Sequence, residues 1–187
     1  MGSHRGKYQK QILREAEGYL ELITCLADRW PPRPEIREPI AKRALELLGQ
    51  VDPAGHQRAT WLLLKGEAFR TMNRYGEALE PLLQSAELDE ENIGTWLALG
   101  WCYKRTGRLD LAIESLEKAL VSDDQAAIIH YNLACYWALA NNPNLAVGYL
   151  QRALEIDPDY KNMIADEPDF EPIRDYPEFQ VLAGVIV

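Results

Sequence analysis

The middle of the chain repeats one order of small, large apolar and polar residues at a spacing of 34. In residues 93–126 the pattern consists of Trp96, Leu99, Gly100, Tyr103, Ala112, Leu116 and Ala119. The matching residues 34 positions earlier are Leu62, Lys65, Gly66, Phe69, Ala78, Leu82 and Ser85. Those 34 positions later are His130, Leu133, Ala134, Trp137, Ala146, Leu150 and Ala153. Two helices of three to four turns and two short turns fill about 34 residues, so each unit is predicted to be a helix pair.

Residue size and turn chemistry agree with three such units, at 59–92, 93–126 and 127–160. Small residues on both helices of a unit let the two backbones approach, and the predicted pairs are Gly66 with Ala78, Gly100 with Ala112, and Ala134 with Ala146. The first helices end at Asn73, Gly107 and Asn141, residue types that adopt the left-handed conformation with little strain. Acidic residues close each unit, as in Asp89-Glu90-Glu91, and we expect them to cap or precede the next helix.

The period and the residue signature resemble the tetratricopeptide repeat (TPR) family. The resemblance implies an all-α fold, a TPR-like right-handed α-solenoid built from antiparallel helix pairs. It also implies a concave groove lined by the first helix of each unit, where partners of this family usually bind.

The residues before the first unit predict a divergent helical hairpin over 8–58. Apolar residues recur at three and four positions between Tyr8 and Asp28, and a second helix is expected from about Glu35 to Leu48. Pro32 stands where the repeat needs a small residue, so the hairpin is out of register; a degenerate fourth repeat is the alternative. Residues 1–7 are expected to be disordered or a remnant of a cloning tag.

The C-terminal residues 161–187 leave the repeat pattern and resemble the end-of-array module of many bacterial TPR proteins. Prolines and acids favour turns there, with one short helix at about 161–165 and another from about Pro177. We expect Phe170, Ile173 and Phe179 to cover the last repeat. The final six residues are apolar enough to pack or to form a homodimer.

Charge, cysteine content and the lack of a long apolar run restrict the possible partners, the cysteine chemistry and the location of the protein. The net charge of −9 opposes nonspecific attraction to nucleic acid and to anionic membranes. Three cysteines, which are Cys25, Cys102 and Cys135, form no Cys-x-x-Cys pair, so they indicate reduced thiols rather than a disulfide framework or a zinc site. No run is long and apolar enough to span a bilayer, and a cytoplasmic location is expected.

The sequence predicts a non-catalytic protein without cofactor or metal. It has no Gly-rich phosphate loop, no His-Glu-x-x-His and no Gly-x-Ser-x-Gly motif. His130 occupies the repeat position of Trp96, so a packed core histidine is favoured over a catalytic one. Cys102 and Cys135 are expected to be small buried apolar residues. The acidic clusters recur at repeat junctions, where capping accounts for them better than a metal does.

The resemblance also selects candidate groove residues. The positions that line the family's groove include Leu63, Glu67, Arg70, Leu97, Trp101, Lys104, Arg105, Tyr131 and Cys135 in this sequence. Asn132, next to Tyr131, is added as a tenth candidate. Chaperone-binding members of the family hold a peptide carboxylate with a Lys/Asn/Arg clamp, and of the corresponding residues only Asn132 fits it. Binding of that type is therefore disfavoured.

Two functions remain open from the sequence. Trp101 and Tyr131 beside Arg70, Lys104 and Arg105 suit an extended protein or peptide segment that carries an apolar anchor and acidic residues. The protein would then be an interaction scaffold. The alternative is a structural or regulatory subunit that self-associates and whose groove is filled by its own termini.

Overall fold

The computed structural model describes residues 2–27 and 32–184, and all regular structure in that part of the chain is helical. The α-helices are α1 Gly2–Ala27, α2 Pro34–Leu48, α3 His56–Thr71, α4 Tyr75–Leu88, α5 Ile93–Arg105, α6 Leu109–Ser122, α7 Ala127–Leu139, α8 Pro143–Ile156, α9 Lys161–Ile164 and α10 Pro177–Ala183. Short 3-10 helices run over Pro158–Tyr160 and Pro168–Ile173. The chain forms two compact units, residues 1–106 and residues 107–187, and the division falls between α5 and α6.

The first unit begins with the predicted irregular hairpin. Helix α1 packs against α2 and α3, and α3 packs against α4. The apolar stripe of α1 is buried together with one face of α2, and this core comprises Ile12, Leu13, Ala16, Leu20, Ile23, Ala41, Ala44, Leu47 and Leu48. A helix whose apolar residues recur at three and four positions buries that stripe against a neighbour, so the hairpin completes its core with α3.

Helix α1 starts earlier than the sequence indicated. Residues 2–7 are helical, so the expectation of a disordered stretch over 1–7 is not met there; residue 1 lies outside the described residues. The next turn of α1 is held to the segment that follows α2, because the Tyr8 hydroxyl donates to Gln50 Oε1 at 3.2 Å and Gln9 Nε2 donates to the Asp52 carbonyl at 3.2 Å. The glycines before it are weak helix formers but do not forbid helical geometry.

The α3–α4 pair shows why the first helix needs a small residue. A Cβ atom built on Gly66 would lie 2.4 Å from Leu82 Cγ, closer than non-bonded atoms approach. The partner of Gly66 is thus Leu82, one turn beyond the predicted Ala78. Ser85, also on α4, donates from its hydroxyl to the Ala59 carbonyl at 2.9 Å and so joins the second helix back to the first.

The three predicted turn residues all have left-handed backbone geometry. Asn73, Gly107 and Asn141 have φ angles of 59°, 78° and 55°. Glycine and asparagine tolerate this region better than other residues, which is the reason that they end helices. The turn prediction is confirmed at each of the three positions.

The acidic residues at the repeat junctions precede the next helices, as predicted, and some but not all of them cap a helix. Helix α5 is capped by Asn92, whose side chain accepts a hydrogen bond from the Thr95 amide at 3.1 Å. The carboxylate of Asp123 accepts from the Gln125 amide at 2.8 Å, inside the turn before α7. The carboxylate of Asp157 accepts from the Asp159 amide at 3.0 Å and caps the 3-10 helix Pro158–Tyr160, whereas Asp123 stabilises a turn, as aspartate commonly does.

The second unit consists of α6, the α7–α8 pair and the C-terminal segment. Helix α7 packs against α6, α8 and the 3-10 helix Pro168–Ile173, and α10 packs against α8. Phe170, Ile173 and Phe179 are buried, as predicted, and the two short helices fall where the sequence placed them. Residues 185–187 of the apolar end lie outside the described residues. None of the described helices is long and apolar enough to cross a bilayer.

Candidate partner-binding site

Seven of the ten predicted groove residues lie in the first unit, on α3 and α5. Helix α3 carries Leu63, Glu67 and Arg70, and α5 carries Leu97, Trp101, Lys104 and Arg105. Successive residues are three or four apart on α3, and on α5 both Lys104 and Arg105 follow Trp101 by three or four, which places the residues of each helix on one broad face. The two helices contact each other. All seven side chains are exposed or half-buried, and we call this surface the α3/α5 face.

Trp101 is the large aromatic side chain of the α3/α5 face. It is 36% exposed, whereas Trp96 on the same helix is 9% exposed and donates from its indole to the Glu90 carbonyl at 2.7 Å. Five residues along a helix turn a side chain by well over a full turn, so the two indoles point in different directions. Trp101 therefore faces away from the core that buries Trp96.

Two cations of α5 lie against aromatic rings of the first unit. Lys104 Nζ lies 4.7 Å from the centre of the Trp101 ring, which is within the range of a cation–π contact. The Arg105 guanidinium lies 5.2 Å from the centre of the Tyr75 ring at the start of α4. The first contact holds the Lys104 ammonium beside Trp101, and the second holds the Arg105 guanidinium beside Tyr75.

Arg70 is already paired inside the face. Its guanidinium lies 2.6 Å from Glu67 Oε2, and both side chains are mostly buried. Burial acts to lower the pKa of Arg70, but the charge and hydrogen bond of Glu67 act in the opposite direction and the pKa is raised. Glu67 is the one acid among the seven residues, so the α3/α5 face carries three cations and one carboxylate.

Cys102 is buried beneath the α3/α5 face, and its thiol is unreactive at neutral pH. Its side chain is fully buried, and burial raises the pKa of the Cys102 thiol to about 12, while the nearby Arg70 charge acts to lower it. A thiol is nucleophilic only as the thiolate, so Cys102 is not poised to react at neutral pH. The prediction of a small buried apolar residue is confirmed.

The three predicted groove residues of the second unit are placed differently. Tyr131 and Cys135 are each 2% exposed, and Asn132 is half-buried. The Tyr131 ring lies 4.9 Å from the Tyr160 ring and meets Phe170 edge-on at 5.8 Å, measured between ring centres. The C-terminal segment therefore covers this face of α7, and an external ligand reaches Tyr131 or Cys135 only if that segment moves.

His130 is a packed side chain, as predicted. It is 7% exposed, and its Nε2 lies 2.8 Å from the Asp124 carbonyl. Trp96 makes the equivalent bond to Glu90, again six residues earlier, so the ring nitrogen at this repeat position ties the helix to the turn before it. A structural role accounts for this histidine without catalysis.

One cluster of potential metal ligands occurs among the described residues, and it was not predicted from the sequence. The ligand atoms of Cys135, Glu167 and Asp169 all lie within 4.8 Å of one another. Cys135 is more than thirty residues from the two acids, so no short spacing motif reveals the group. Only the folding of the C-terminal segment onto α7 brings these residues together.

Comparison with known proteins identifies the class to which this architecture belongs. Residues 96–161 match the family model of the tetratricopeptide repeat. The chain is thus a TPR protein in fold, and the predicted class, an all-α TPR-like solenoid of antiparallel helix pairs, is confirmed. Proteins with this fold generally act as protein-interaction scaffolds. No match was found among curated proteins.

Several solved structures share the fold. YrrB, a TPR protein with an unusual peptide-binding site, is 21% identical, with a TM-score of 0.57 over 69% of this chain and 63% of its own. MamA is 20% identical, with a TM-score of 0.54 over 82% and 87%. A further MamA structure, from AMB-1, gives 18% identity and a TM-score of 0.58 over 90% and 100%. This chain spans less than two thirds of the YrrB chain, and identities this low establish the fold alone.

Proposed function

We propose that the protein is a non-catalytic scaffold that binds a segment of another protein on the α3/α5 face. The observation that carries the proposal is the exposed Trp101, which is flanked by Lys104 and Arg105 on a surface where the neighbouring Trp96 is buried. Tryptophan and arginine are enriched among the residues that dominate binding energy at interfaces. The peptide-binding site of YrrB, a protein of the same fold, supports a peptide as the ligand.

The chemistry of the face defines the ligand. An apolar side chain of the bound segment packs on the Trp101 indole and on half-buried Leu97 and Leu63. Acidic residues of the segment lie beside Lys104 and Arg105, since Glu67 is already occupied by Arg70. Charge complementarity of this kind accelerates association and selects the partner more than it adds affinity. The overall charge of −9 selects against polyanions such as nucleic acid, and we place the protein in the cytoplasm.

A peptide selection tests the proposal and does not require an identified partner. Random peptides displayed on phage are selected against the protein, and the recovered peptides are predicted to combine an aromatic or large aliphatic residue with two or more acids. Their affinity is measured by isothermal titration calorimetry at low and moderate salt. We expect binding to weaken as salt rises, because exposed charges are screened within about 8–10 Å.

A charge-matched pair of variants locates the site. Arg105→Glu reverses a charge on the α3/α5 face and should weaken the selected peptides about tenfold or more. Lys42→Glu reverses an exposed charge on α2 of the same unit and should leave their affinity unchanged. Recovery of no peptide, or an equal effect of the two reversals, would remove the α3/α5 face as the site.

The self-association alternative is favoured by one observation in the second unit. The C-terminal segment buries Tyr131 and Cys135, so part of the predicted groove surface is filled from within. A groove occupied by its own chain suits a structural subunit that binds through other surfaces. The oligomeric state in solution separates this function from segment binding.

A further inference from the structure

The side of α3 that points away from the α3/α5 face borders an open cleft. Helix α4 forms the opposite wall, and the cleft has a volume of about 520 Å³. Lys65 in the cleft and Glu67 on the α3/α5 face are two residues apart, which turns their side chains about 200° from each other. We call this second surface the α3/α4 cleft, and its charged and aromatic lining includes Arg58, Trp61, Lys65, Phe69, Glu77 and Glu80.

The floor of the α3/α4 cleft is a row of an aromatic ring, a cation and a second aromatic ring. Trp61, Lys65 and Phe69 follow one another at intervals of four residues, about one helical turn each, so they lie along one side of α3. All three side chains are half-buried and line the cleft. The row therefore presents a repeating pattern that a ligand can match.

Trp61 and Lys65 occupy repeat positions that are fully buried in the two later repeats. The residues at those positions are all 0% exposed: Thr95, Leu99, Ile129 and Leu133. An ammonium therefore stands in the first repeat where the later repeats bury a leucine. Lysine is seldom placed in such surroundings unless it has a partner.

The cleft is open because the helix that precedes α3 covers it only in part. In the next repeat the Thr95 hydroxyl lies 3.4 Å from Ser85 Oγ on α4, so the preceding helix lies against this position. The helix before α3 is α2, which belongs to the out-of-register hairpin. The Trp61 indole donates to the Leu48 carbonyl at the end of α2 at 2.9 Å, but the described residues that line the cleft come from α3 and α4.

Two cations lie against the Trp61 indole. Lys65 Nζ is 4.4 Å from the centre of the ring, and the Arg58 guanidinium carbon is 4.9 Å from it. Both distances are within the range of a cation–π contact. Arg58 is also paired with the carboxylate of Asp52, beside the start of α3. The hydrogen bond to α2 fixes the indole, and the indole holds the Lys65 ammonium at the cleft.

The two acids of the α4 wall have other partners. The carboxylate of Glu77 pairs with Arg74, and Glu80 accepts a hydrogen bond from Gln84 Nε2 at 3.3 Å. Among the described residues no carboxylate is paired with the Lys65 ammonium. A half-buried charge has lost part of its hydration, so an opposite charge brought beside it is favourable. The cleft thus offers a place for one carboxylate between two aromatic rings.

We propose that the α3/α4 cleft binds an amphipathic helix of a partner protein, whose acidic side chain pairs with Lys65. Large apolar side chains one turn before and one turn after that acid pack on the Trp61 and Phe69 rings, as in other helix-in-groove complexes. Gly76 on the α4 wall leaves room for them, because a Cβ built there would meet no atom within 4 Å.

A helix is the ligand that the repeat itself indicates. The position of Trp61 is covered by a helix in the next repeat, where Thr95 faces α4, and the cleft is a site of the same kind that α2 leaves partly empty. The cleft lies on the opposite side of α3 from the α3/α5 face and does not depend on it for binding. One copy of the protein would then hold two different segments at once and join their proteins.

A selection of helical peptides identifies ligands of the cleft. Peptides of about 15 residues, long enough to form a helix in isolation, are displayed on phage and selected against full-length Trp101→Ala protein. That substitution removes the anchor of the α3/α5 face, so ligands of that face are not enriched. The recovered peptides are predicted to have a large apolar residue, then an aspartate or glutamate one turn later, then a second large apolar residue after another turn.

Lys65→Leu separates binding from stability. It should weaken the affinity of the recovered peptides by about tenfold or more, and replacing the peptide acid by its amide should have an effect of the same size. The unfolding temperature of Lys65→Leu should be unchanged or higher, since leucine occupies this position in both later repeats. Lys65→Arg keeps the charge and the ring contact and should change the affinity by less than about threefold.

Matched controls assign the peptides to the cleft. Lys42→Leu removes an exposed lysine of α2, and Arg105→Glu reverses a charge of the α3/α5 face. Neither should change the affinity of the recovered peptides. Gly76→Phe fills the cleft from its exposed wall and should weaken the peptides by about tenfold or more, with an unchanged circular dichroism spectrum.

Four results would overturn the cleft as a binding site: recovery of no peptide, recovered peptides that bind without becoming helical, equal affinity for wild type and Lys65→Leu, or a loss in Arg105→Glu as large as that in Lys65→Leu. The last would assign the peptides to the α3/α5 face. Circular dichroism verifies that each variant is folded. Should Lys65→Leu fail to fold, Gly76→Phe decides the question, and unchanged affinity in that variant would exclude the cleft.

Discussion

At the scale of single residues, side-chain size and backbone conformation fix the geometry of the helix pairs. The sequence predicted a close contact at Gly66 and left-handed turns at Asn73 and Asn141, and the structure has all three. It placed Ala78 opposite Gly66, whereas Leu82 is the residue in contact. A repeat pattern gives the face on which a residue lies, but it does not give the axial offset between two helices.

Gly66→Ala tests the close contact. The added methyl group would overlap the buried Leu82 side chain, so we expect the free energy of unfolding to fall by about 1–3 kcal/mol in urea titrations. Gly76→Ala is the control, because a Cβ at that exposed position on α4 meets no atom within 4 Å. Better helix propensity should make it neutral or stabilising by up to about 1 kcal/mol. Equal effects of the two substitutions would contradict the contact.

Cys102 provides a pH-dependent test of burial. Its pKa is raised to about 12 in the folded state, so the folded protein holds the thiol proton more tightly than the unfolded chain. The thiol stabilises the fold fully below the unfolded pKa of about 8.5, and this stabilisation decreases as the pH rises toward 12. The difference in unfolding free energy between wild type and Cys102→Ala should shrink across that window. A constant difference would show that the folded thiol titrates normally.

At the scale of helices, the sequence predicted which segments are helical better than what ends them. The repeat pattern and the apolar stripes located every α-helix of the described residues, but α1 begins at Gly2 rather than near Tyr8. At the repeat junctions Asp123 holds a turn, Asp157 caps a 3-10 helix, and Asn92 rather than an acid caps α5. The identity of the cap could not be predicted, because a carboxylate and an amide are equally good caps in sequence and only the local backbone decides which of them reaches the amides.

Asn92→Ala tests the cap. Loss of the bond to the Thr95 amide leaves a helix-end donor unsatisfied, and we expect the free energy of unfolding to fall by about 0.5–2 kcal/mol. Glu91→Gln changes the neighbouring exposed acid and should alter it by less than about 0.5 kcal/mol. Both are measured by chemical denaturation. A larger loss for Glu91→Gln than for Asn92→Ala would show that the acid, and not Asn92, caps the helix.

At the scale of the whole molecule, the sequence did not predict which groove positions the C-terminal segment covers. Trp101 and Tyr131 both occupy predicted groove positions, yet one is exposed and the other is covered by the C-terminal segment. A 34-residue period describes neighbouring helices, whereas the return of the C-terminal segment onto α7 and α8 depends on long-range packing of residues such as Phe170 and Phe179. The cluster of Cys135 with two acids was missed for the same reason.

Light scattering distinguishes the two functions. If the protein binds a foreign segment, the full-length chain and a chain ending at Phe179 should both have the mass of a monomer at micromolar concentration. If it acts by self-association through its apolar end, the full-length chain should be a dimer and the shortened chain a monomer. Dimerisation of the full-length chain alone would therefore favour the alternative function over the one proposed.

The central claim is that Trp101 is exposed in order to bind a partner. Its most direct test measures, for Trp101→Ala and Trp96→Ala, both the affinity for a selected peptide and the free energy of unfolding, with Leu88→Ala as an exposed apolar control in the same unit. Trp101→Ala should lose about 2 kcal/mol or more of binding. Its stability should change far less than that of Trp96→Ala, which should lose about 3–5 kcal/mol. Unchanged peptide affinity in Trp101→Ala, or a loss of stability as large as that of Trp96→Ala, would contradict the claim.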